Sequence, residues 1–276
     1  MRILLVNKFH YNRGGADRHY LELGHLLKQA GHEVRYFSQL PLDGKGEDDL
    51  YYVPTVDMSQ PRFGKDFMRA LLRLWGDRDT KQKVREIIKD FNPQVVHLHN
   101  VYHQLSPVII KYFKDAGIPV VMTVHDFYVV SPNYNLYHRG NNVLVEQSLT
   151  KLVFERQIKN SFWVSLVATI IHSRDREFYK LCDRFVSPSE YVAKIVSNIY
   201  PEVPIEVMPN FAAPAIATET GDYIFYGGRI SQEKGVDILL RVAKLLSSYK
   251  FKIAGTGPMF DQLRKEYNLF NVEWLG

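Results

Sequence analysis

Tyr223-Ile224-Phe225-Tyr226-Gly227-Gly228-Arg229-Ile230-Ser231-Gln232-Glu233-Lys234-Gly235 decides how this chain folds. The first four residues have the β-branched and aromatic character of a short buried strand. Beyond Gly235, the residues Val236, Leu239, Leu240, Ala243, Leu245 and Leu246 recur at helical spacing. The glycines therefore fall in a strand-to-helix turn, where backbone amides and a helix N-terminus can receive an anion. Arg229 and Lys234 add two positive charges beside them. Such a turn suits a diphosphate.

The same rhythm runs outward in both directions. Downstream, Phe251–Ala254 and Val272–Leu275 read as strands with a short helix from Pro258 between them. Upstream, strand-like runs cover Arg2–Val6, Glu33–Phe37, Val95–Leu98, Val120–Val124, Arg184–Val186 and Ile205–Val207. Helical patterns at Ala16–Ala30, Pro107–Ala116 and Glu190–Ile199 lie between several of them. Repeated β-α units predict an α/β protein with a parallel, doubly wound sheet. Residues 209–221, from Pro209-Asn210 through Pro214 to Gly221, have no periodicity and read as a linker. The expected organisation is a first Rossmann-like domain over 1–208, a linker over 209–221, and the first part of a second over 222–276. Two such sheets facing one another place a ligand cleft at the C-terminal edges of their strands.

Composition narrows the class. Of 276 residues, 46% are hydrophobic and 24% charged, which describes a globular chain with ample core. The single cysteine, Cys182, permits no internal disulfide and fits a reducing compartment. Ile3-Leu4-Leu5-Val6 is too short for a signal-peptide core, and Phe162–Ile171 is half the length of a membrane span. A cytoplasmic protein is expected. The net charge of +5 is matched by residues 62–89, with nine Lys/Arg against four Asp/Glu. That stretch looks helical, with Phe67, Ala70, Leu71 and Leu74 on one stripe. It reads either as a solvated helix face or as a contact for an anionic membrane. No Arg-rich or zinc-binding motif accompanies it, so nucleic acid is not an expected partner.

Three clusters fall at the predicted strand ends. Gly14-Gly15 follows the first strand and allows either close approach to a ligand or a turn needing positive φ. His97-Leu98-His99-Asn100 ends the strand from Val95, with His97 and His99 on one side of an extended chain. Without a Glu-x-x-His motif or a cysteine pair, polar readout of a sugar or acceptor hydroxyl is the more natural reading than zinc. Thr123-Val124-His125-Asp126 is the third. His125 can hydrogen-bond a bound sugar, while Asp126 either fixes a loop or assists an acceptor.

With these residues in view, the chain resembles glycosyltransferase family 4. The resemblance rests on Gly14-Gly15-Ala16-Asp17, Val95-Val96-His97-Leu98-His99-Asn100, Pro119 through Asp126, Val186-Ser187-Pro188-Ser189, Met208-Pro209-Asn210 and Gly227 through Gly235, in that order. It implies a GT-B architecture, with acceptor on the first domain and nucleotide-sugar donor on the second. It also implies retaining transfer from a nucleoside-diphosphate sugar to a glycan or lipid-linked acceptor, with no metal and no other cofactor. On that template Gly228, Arg229 and Lys234 neutralise the donor diphosphate, and Gly15 offers its amide to the same phosphates. His125 contacts the transferred sugar as a catalytic group beside Asp126. Gly14, His99 and Asn100 face the sugar or acceptor.

Two departures qualify the template. The family's two donor-site glutamates, eight positions apart, have no counterpart in these 276 residues, and residues 133–147 contain no cysteine. A catalytically incomplete acceptor-binding module, or one half of a split transferase completed by another chain, is therefore the alternative reading. A nicotinamide-dependent dehydrogenase is disfavoured, because no Gly-x-Gly-x-x-Gly follows the first strand. Residues 152–180, with Phe162-Trp163 and basic flanks, are a candidate contact with the inner face of a membrane.

Overall fold

The computed structural model describes residues 1–40, 50–55, 72–76, 78–143, 148–212 and 221–276. They divide into two compact units, 1–136 with 143–211, and 137–142 with 212–276.

The first unit is built on seven strands: β1 (Arg2–Val6), β2 (Glu33–Gln39), β3 (Leu50–Val53), β4 (Val95–Leu98), β5 (Val120–Thr123), β8 (Arg184–Ser187) and β9 (Ile205–Val207). Their order in the sheet is β3-β2-β1-β4-β5-β8-β9, and every neighbouring pair is parallel. Leu4, Leu5 and Val6 are all fully buried, as in a central strand covered on both faces. The connections carry α1 (Gly15–Gln29), α2 (Arg78–Asp90), α3 (Val108–Asp115), α4 (Leu149–Phe154), α5 (Phe162–Tyr179) and α6 (Glu190–Ile199). The chain runs from β1 to one side through β2 and returns to the other side at β4. The crevice outside the C-terminal ends of β1 and β4 is thus a topological switch point, where open α/β sheets bind ligands.

The second unit holds β10 (Tyr223–Gly227), β11 (Lys250–Ala254) and β12 (Val272–Trp274), a parallel sheet in that order, with α7 (Val236–Leu245) and α8 (Phe260–Glu266). Its small core is Ile230, Val236, Leu240, Ile253 and Leu263. The outer edge of β10 is unpaired among the described residues, and Phe225 on that strand is 59% exposed. A two-stranded ladder, β6 (Tyr137–His138) with β7 (Asn141–Asn142), groups with this unit.

The structure departs from the sequence reading at the basic stretch. The basic stretch is not one uninterrupted helix, because Gly76 at φ +89 breaks it before α2 begins at Arg78. A Cβ at Gly76 would stand 2.6 Å from Val108 Cγ1, so close packing requires the glycine as well. Phe67, Ala70 and Leu71 of the expected apolar stripe lie outside the described residues, as does most of the linker. α5 has a pattern that runs inside out. Ser165, Thr169, His172 and Asp175 are buried, while Trp163, Val167 and Ile170 are exposed. Buried polar groups persist only when they are bonded. Ser165 Oγ accepts from Ile158 N at 3.0 Å, His172 Nε2 lies 2.8 Å from Tyr128 O, and Arg174 binds Asp175 at 2.6 Å. Among the described residues no helix is long and apolar enough to cross a membrane.

Candidate active site

Asn7, one residue past β1, ties the switch point together. Its side-chain amide donates to Asp17 Oδ1 and to Phe9 O, both at 2.8 Å, and its Oδ1 accepts from Asn100 N at 3.1 Å. Asp17 belongs to the first turn of α1, so one buried side chain joins the β1 loop, the helix start and the β4 loop. Backbone bonds from His99 N to Val6 O (2.8 Å) and from Lys8 N to Asn100 O (2.7 Å) extend the ladder past the strand ends. Nothing in the sequence pattern marked Asn7, since a buried asparagine carries no periodic signal.

Gly14 and Gly15 lie in front of this knot. Gly14 is the extended N-cap of α1 and Gly15 its first residue, and no side chain caps the helix. Neither glycine has positive φ, and a Cβ at either would meet nothing within 4 Å. The turn reading of this pair therefore fails, and packing does not demand the glycines. What they leave is open space before the uncapped amides of a 15-residue helix.

β4 and β5 bring the histidines together. His99 is fully buried, and its Nδ1 shares a 2.8 Å hydrogen bond with His125 Nε2. The two rings stack at 5.1 Å, and His97 stacks on the other side of His99 at 4.7 Å. His97 Nε2 is in turn 2.8 Å from Thr123 Oγ1. His19, from α1, approaches His125 at 5.2 Å between ring centroids and Phe211 at 4.7 Å. Burial disfavours the imidazolium form throughout the cluster, with the neighbouring histidines adding to it. His97 falls to about 4 and His125 to about 3, while His99 lies well below the ordinary range. These are neutral rings that donate and accept rather than cations.

Asp126 is committed to the loop. Its Oδ1 accepts from Tyr128 N at 2.9 Å, capping a short 3₁₀ turn over Phe127–Val129, and its Oδ2 accepts from Tyr102 Oη at 2.5 Å. Burial raises its pKa against those hydrogen bonds. Lys8, which sequence reading passed over, holds its ammonium 3.9 Å above the Tyr102 ring. Burial lowers the Lys8 pKa, opposed by the charges of Asp126 and Asp17. Asn100 takes part in the knot through its backbone only.

The second unit carries Gly228, Arg229 and Lys234. Gly228 N donates to Ala254 O at 3.0 Å and Ile230 N to Thr256 O at 2.9 Å, so the turn after β10 is backed by the loop after β11. A 3₁₀ turn over Gln232–Lys234 and Gly235, at φ +65, lead into α7. Arg229 and Lys234 are exposed, and neither side chain has a hydrogen-bond or ion-pair partner among the described residues. Two unpaired cations flank a turn held rigid by backbone bonds.

A seven-stranded sheet with open amides and neutral imidazoles at its switch point, and a second parallel sheet carrying a glycine-rich basic turn, define a nucleotide-binding class of α/β protein. Residues 13–215 match the model of Glycosyltransferase Family 4, and the chain belongs to that family. It is 24% identical to a 42.6 kDa protein in the cps region of Klebsiella pneumoniae, over all of this chain and 74% of that protein. Among solved structures it is similar to sucrose-phosphate synthase from Thermosynechococcus elongatus (TM-score 0.58, 14% identity, 100% of this chain and 70% of that one). WaaG, a glycosyltransferase involved in lipopolysaccharide biosynthesis, gives a TM-score of 0.58 at 13% identity, over 99% and 69% of the two chains. Anabaena Alr3699/HepE, solved in complex with UDP-glucose, gives 0.56 at 14% identity, over 100% and 69%. The GT-B fold expected from the motifs is the fold these structures share with it.

Proposed function

We propose that this chain moves a sugar, with retention, from a nucleoside-diphosphate donor to a glycan or lipid-linked acceptor at the cytoplasmic face of a membrane. The observation that carries the reading is the unpaired Arg229 and Lys234 beside the rigid Gly228 turn. Charge that develops on a departing diphosphate is stabilised by fixed cations that need no reorganisation. The open amides of α1 at Gly15 are, by themselves, suited to a phosphate. His125, held by His99, acts on the sugar as a neutral hydrogen-bonding ring, and Asp126 sets its loop. The departing phosphate takes the acceptor's proton, so no protein nucleophile is required. Gly14, His99 and Asn100 line the sugar or acceptor side. The relative in a cps region supports a cell-surface polysaccharide as the product.

Calorimetry with UDP and GDP tests the donor half. Each charge-assisted contact contributes about 1.5–3 kcal/mol, so Arg229→Ala and Lys234→Ala should each weaken binding about tenfold or more. Unchanged affinity in both variants would remove the donor assignment. The exposed outer edge of β10 favours a second reading, an acceptor-binding half completed by another chain. Sugar turnover by this chain alone would overturn that reading.

The inside-out helix extends the proposal to the acceptor. Phe154, Phe162 and Trp163 form a run of rings 5.9 and 5.3 Å apart, continued by Val167 and Ile170 on the same exposed face. Lys151, Arg156 and Lys159 precede it. Apolar rings with basic flanks match an anionic bilayer surface. In flotation assays the chain should rise with anionic liposomes and should remain in the dense fraction as Trp163→Glu/Val167→Glu. Equal flotation of both proteins would dismiss the contact.

A further inference from the structure

His19, His99 and His125 each bring one ring nitrogen within 4.8 Å of the other two. They come from three different elements: the second turn of α1, the residue after β4, and the loop after β5. The cluster also contains unmet bonding capacity. His19 Nδ1 is buried with no hydrogen-bond partner among the described residues. His97, stacked against His99 and bonded to Thr123 Oγ1, fixes the inner ring from behind. No carboxylate joins the three ligand atoms.

From this juxtaposition we infer that His19, His99 and His125 form a binding site for one divalent transition-metal ion, of which zinc is the best match. Zinc takes imidazole nitrogen at about 2.0–2.1 Å, so ligands on a tetrahedral ion lie about 3.3 Å apart. His99 Nδ1 and His125 Nε2, 2.8 Å apart, share a proton that is released to solvent when both rings turn to the ion, and His19, half-buried at the rim, supplies the third nitrogen. Three protein ligands leave a fourth position for water or a hydroxyl of a bound molecule. Hard cations that prefer oxygen, such as magnesium, find no suitable ligand here. The ion is an occupant of the site rather than a cofactor of transfer. On the reading that His125 contacts the sugar, ion and sugar exclude one another.

Cobalt(II) titrated into the tag-free, full chain near pH 7.5 reports the site directly, because imidazole-bound cobalt in a four- or five-coordinate site absorbs in the visible. A saturable, one-to-one absorption is expected, and zinc should displace it. Loss of one of three direct ligands exceeds the roughly tenfold loss that indirect supports already cause. His125→Ala and His19→Ala should therefore each weaken cobalt binding by more than about tenfold, while His103→Gln leaves it unchanged. His19 lies at the rim, so its variant tests the site even where a core histidine variant fails to fold. Absence of saturable absorption, or equal binding by His19→Ala, overturns the site. UDP calorimetry on the metal-free chain stands apart. Loss of nucleotide binding there would sink the transferase reading and leave the cobalt result intact. Cobalt binding that leaves nucleotide-sugar binding and turnover unaffected would retain the metal site and dismiss the exclusion.

Discussion

The free energy of unfolding will fall steeply as pH drops from 6.5 toward 4. Burial, the first cause in each case, lowers histidines of the first unit from an ordinary value of 6.5, among them His97, His103 and His172 to about 4, and His125 to about 3. Between those limits the unfolded chain binds protons that the folded chain does not. Stability therefore rises with pH through this window and is complete above 6.5. One group displaced by one pH unit corresponds to about 1.4 kcal/mol. Asp175 works against this, since burial raises it from 3.8 to about 6 and the folded form holds its proton there. Burial raises Asp126 in the same direction. The histidines outnumber the carboxylates, and the net loss is on the order of 3 kcal/mol per pH unit. Domains of this size have about 5–15 kcal/mol in total, so this loss takes a large share of the first unit's stability before pH 4. Urea titrations at pH 7.5, 6.5, 5.5 and 4.5 read the slope. A midpoint that does not move between 7.5 and 5 would mean that these imidazoles are not buried and neutral.

Alanine at position 255 should cost the second unit its fold and the chain its grip on a diphosphate. Gly255 lies at φ +134, which side chains rarely adopt, and its added Cβ would stand 1.9 Å from the carbonyl oxygen of Gly228. That oxygen is backbone of the basic turn itself, so no side-chain rotation relieves the clash. Gly257 repeats the arrangement, with a Cβ 2.2 Å from Ile230 O. Strain of this kind together with a backbone shift costs about 3 kcal/mol or more. Five buried apolar residues make up the core that must absorb it. Gly14→Ala and Gly15→Ala serve as controls, because open space surrounds both positions. They should melt like the parent within about 0.5 kcal/mol. Thermal unfolding with and without UDP separates the cases. Parent-like melting and UDP binding in Gly255→Ala would refute the packing of the two loops.

The sheets and the basic turn were legible because their signals are local. β1 and β4 are short, mostly apolar runs, β11 alternates lysine with apolar residues, and Gly227 through Gly235 joins strand to helix within a few residues. The sheet order and the meeting of His99 with His125 follow from repeated β-α units, which place successive strand ends along one edge. Other features depend on long-range bonds and left no pattern. Asn7 acts on residues 10 and 93 positions away. The inward side of α5 is held partly by hydrogen bonds of Ser165, His172 and Asp175, which leave no hydrophobic pattern. Gly255 and Gly257 were visible as a Gly-Thr-Gly after a strand, but their purpose appears only in the carbonyls they admit. Gly76 is similar. Its positive φ, and the approach of Val108 from a distant segment, left no mark in the local sequence.

The inverted polarity of α5 also governs how it meets whatever lies outside. Many surface-seeking helices are coil until contact, and ordering each residue costs about 1–2 kcal/mol. Here Ser165, His172 and Asp175 are already anchored to the body of the first unit. The apolar side therefore stands on a helix already formed, and a surface that received it would meet no helix-forming penalty.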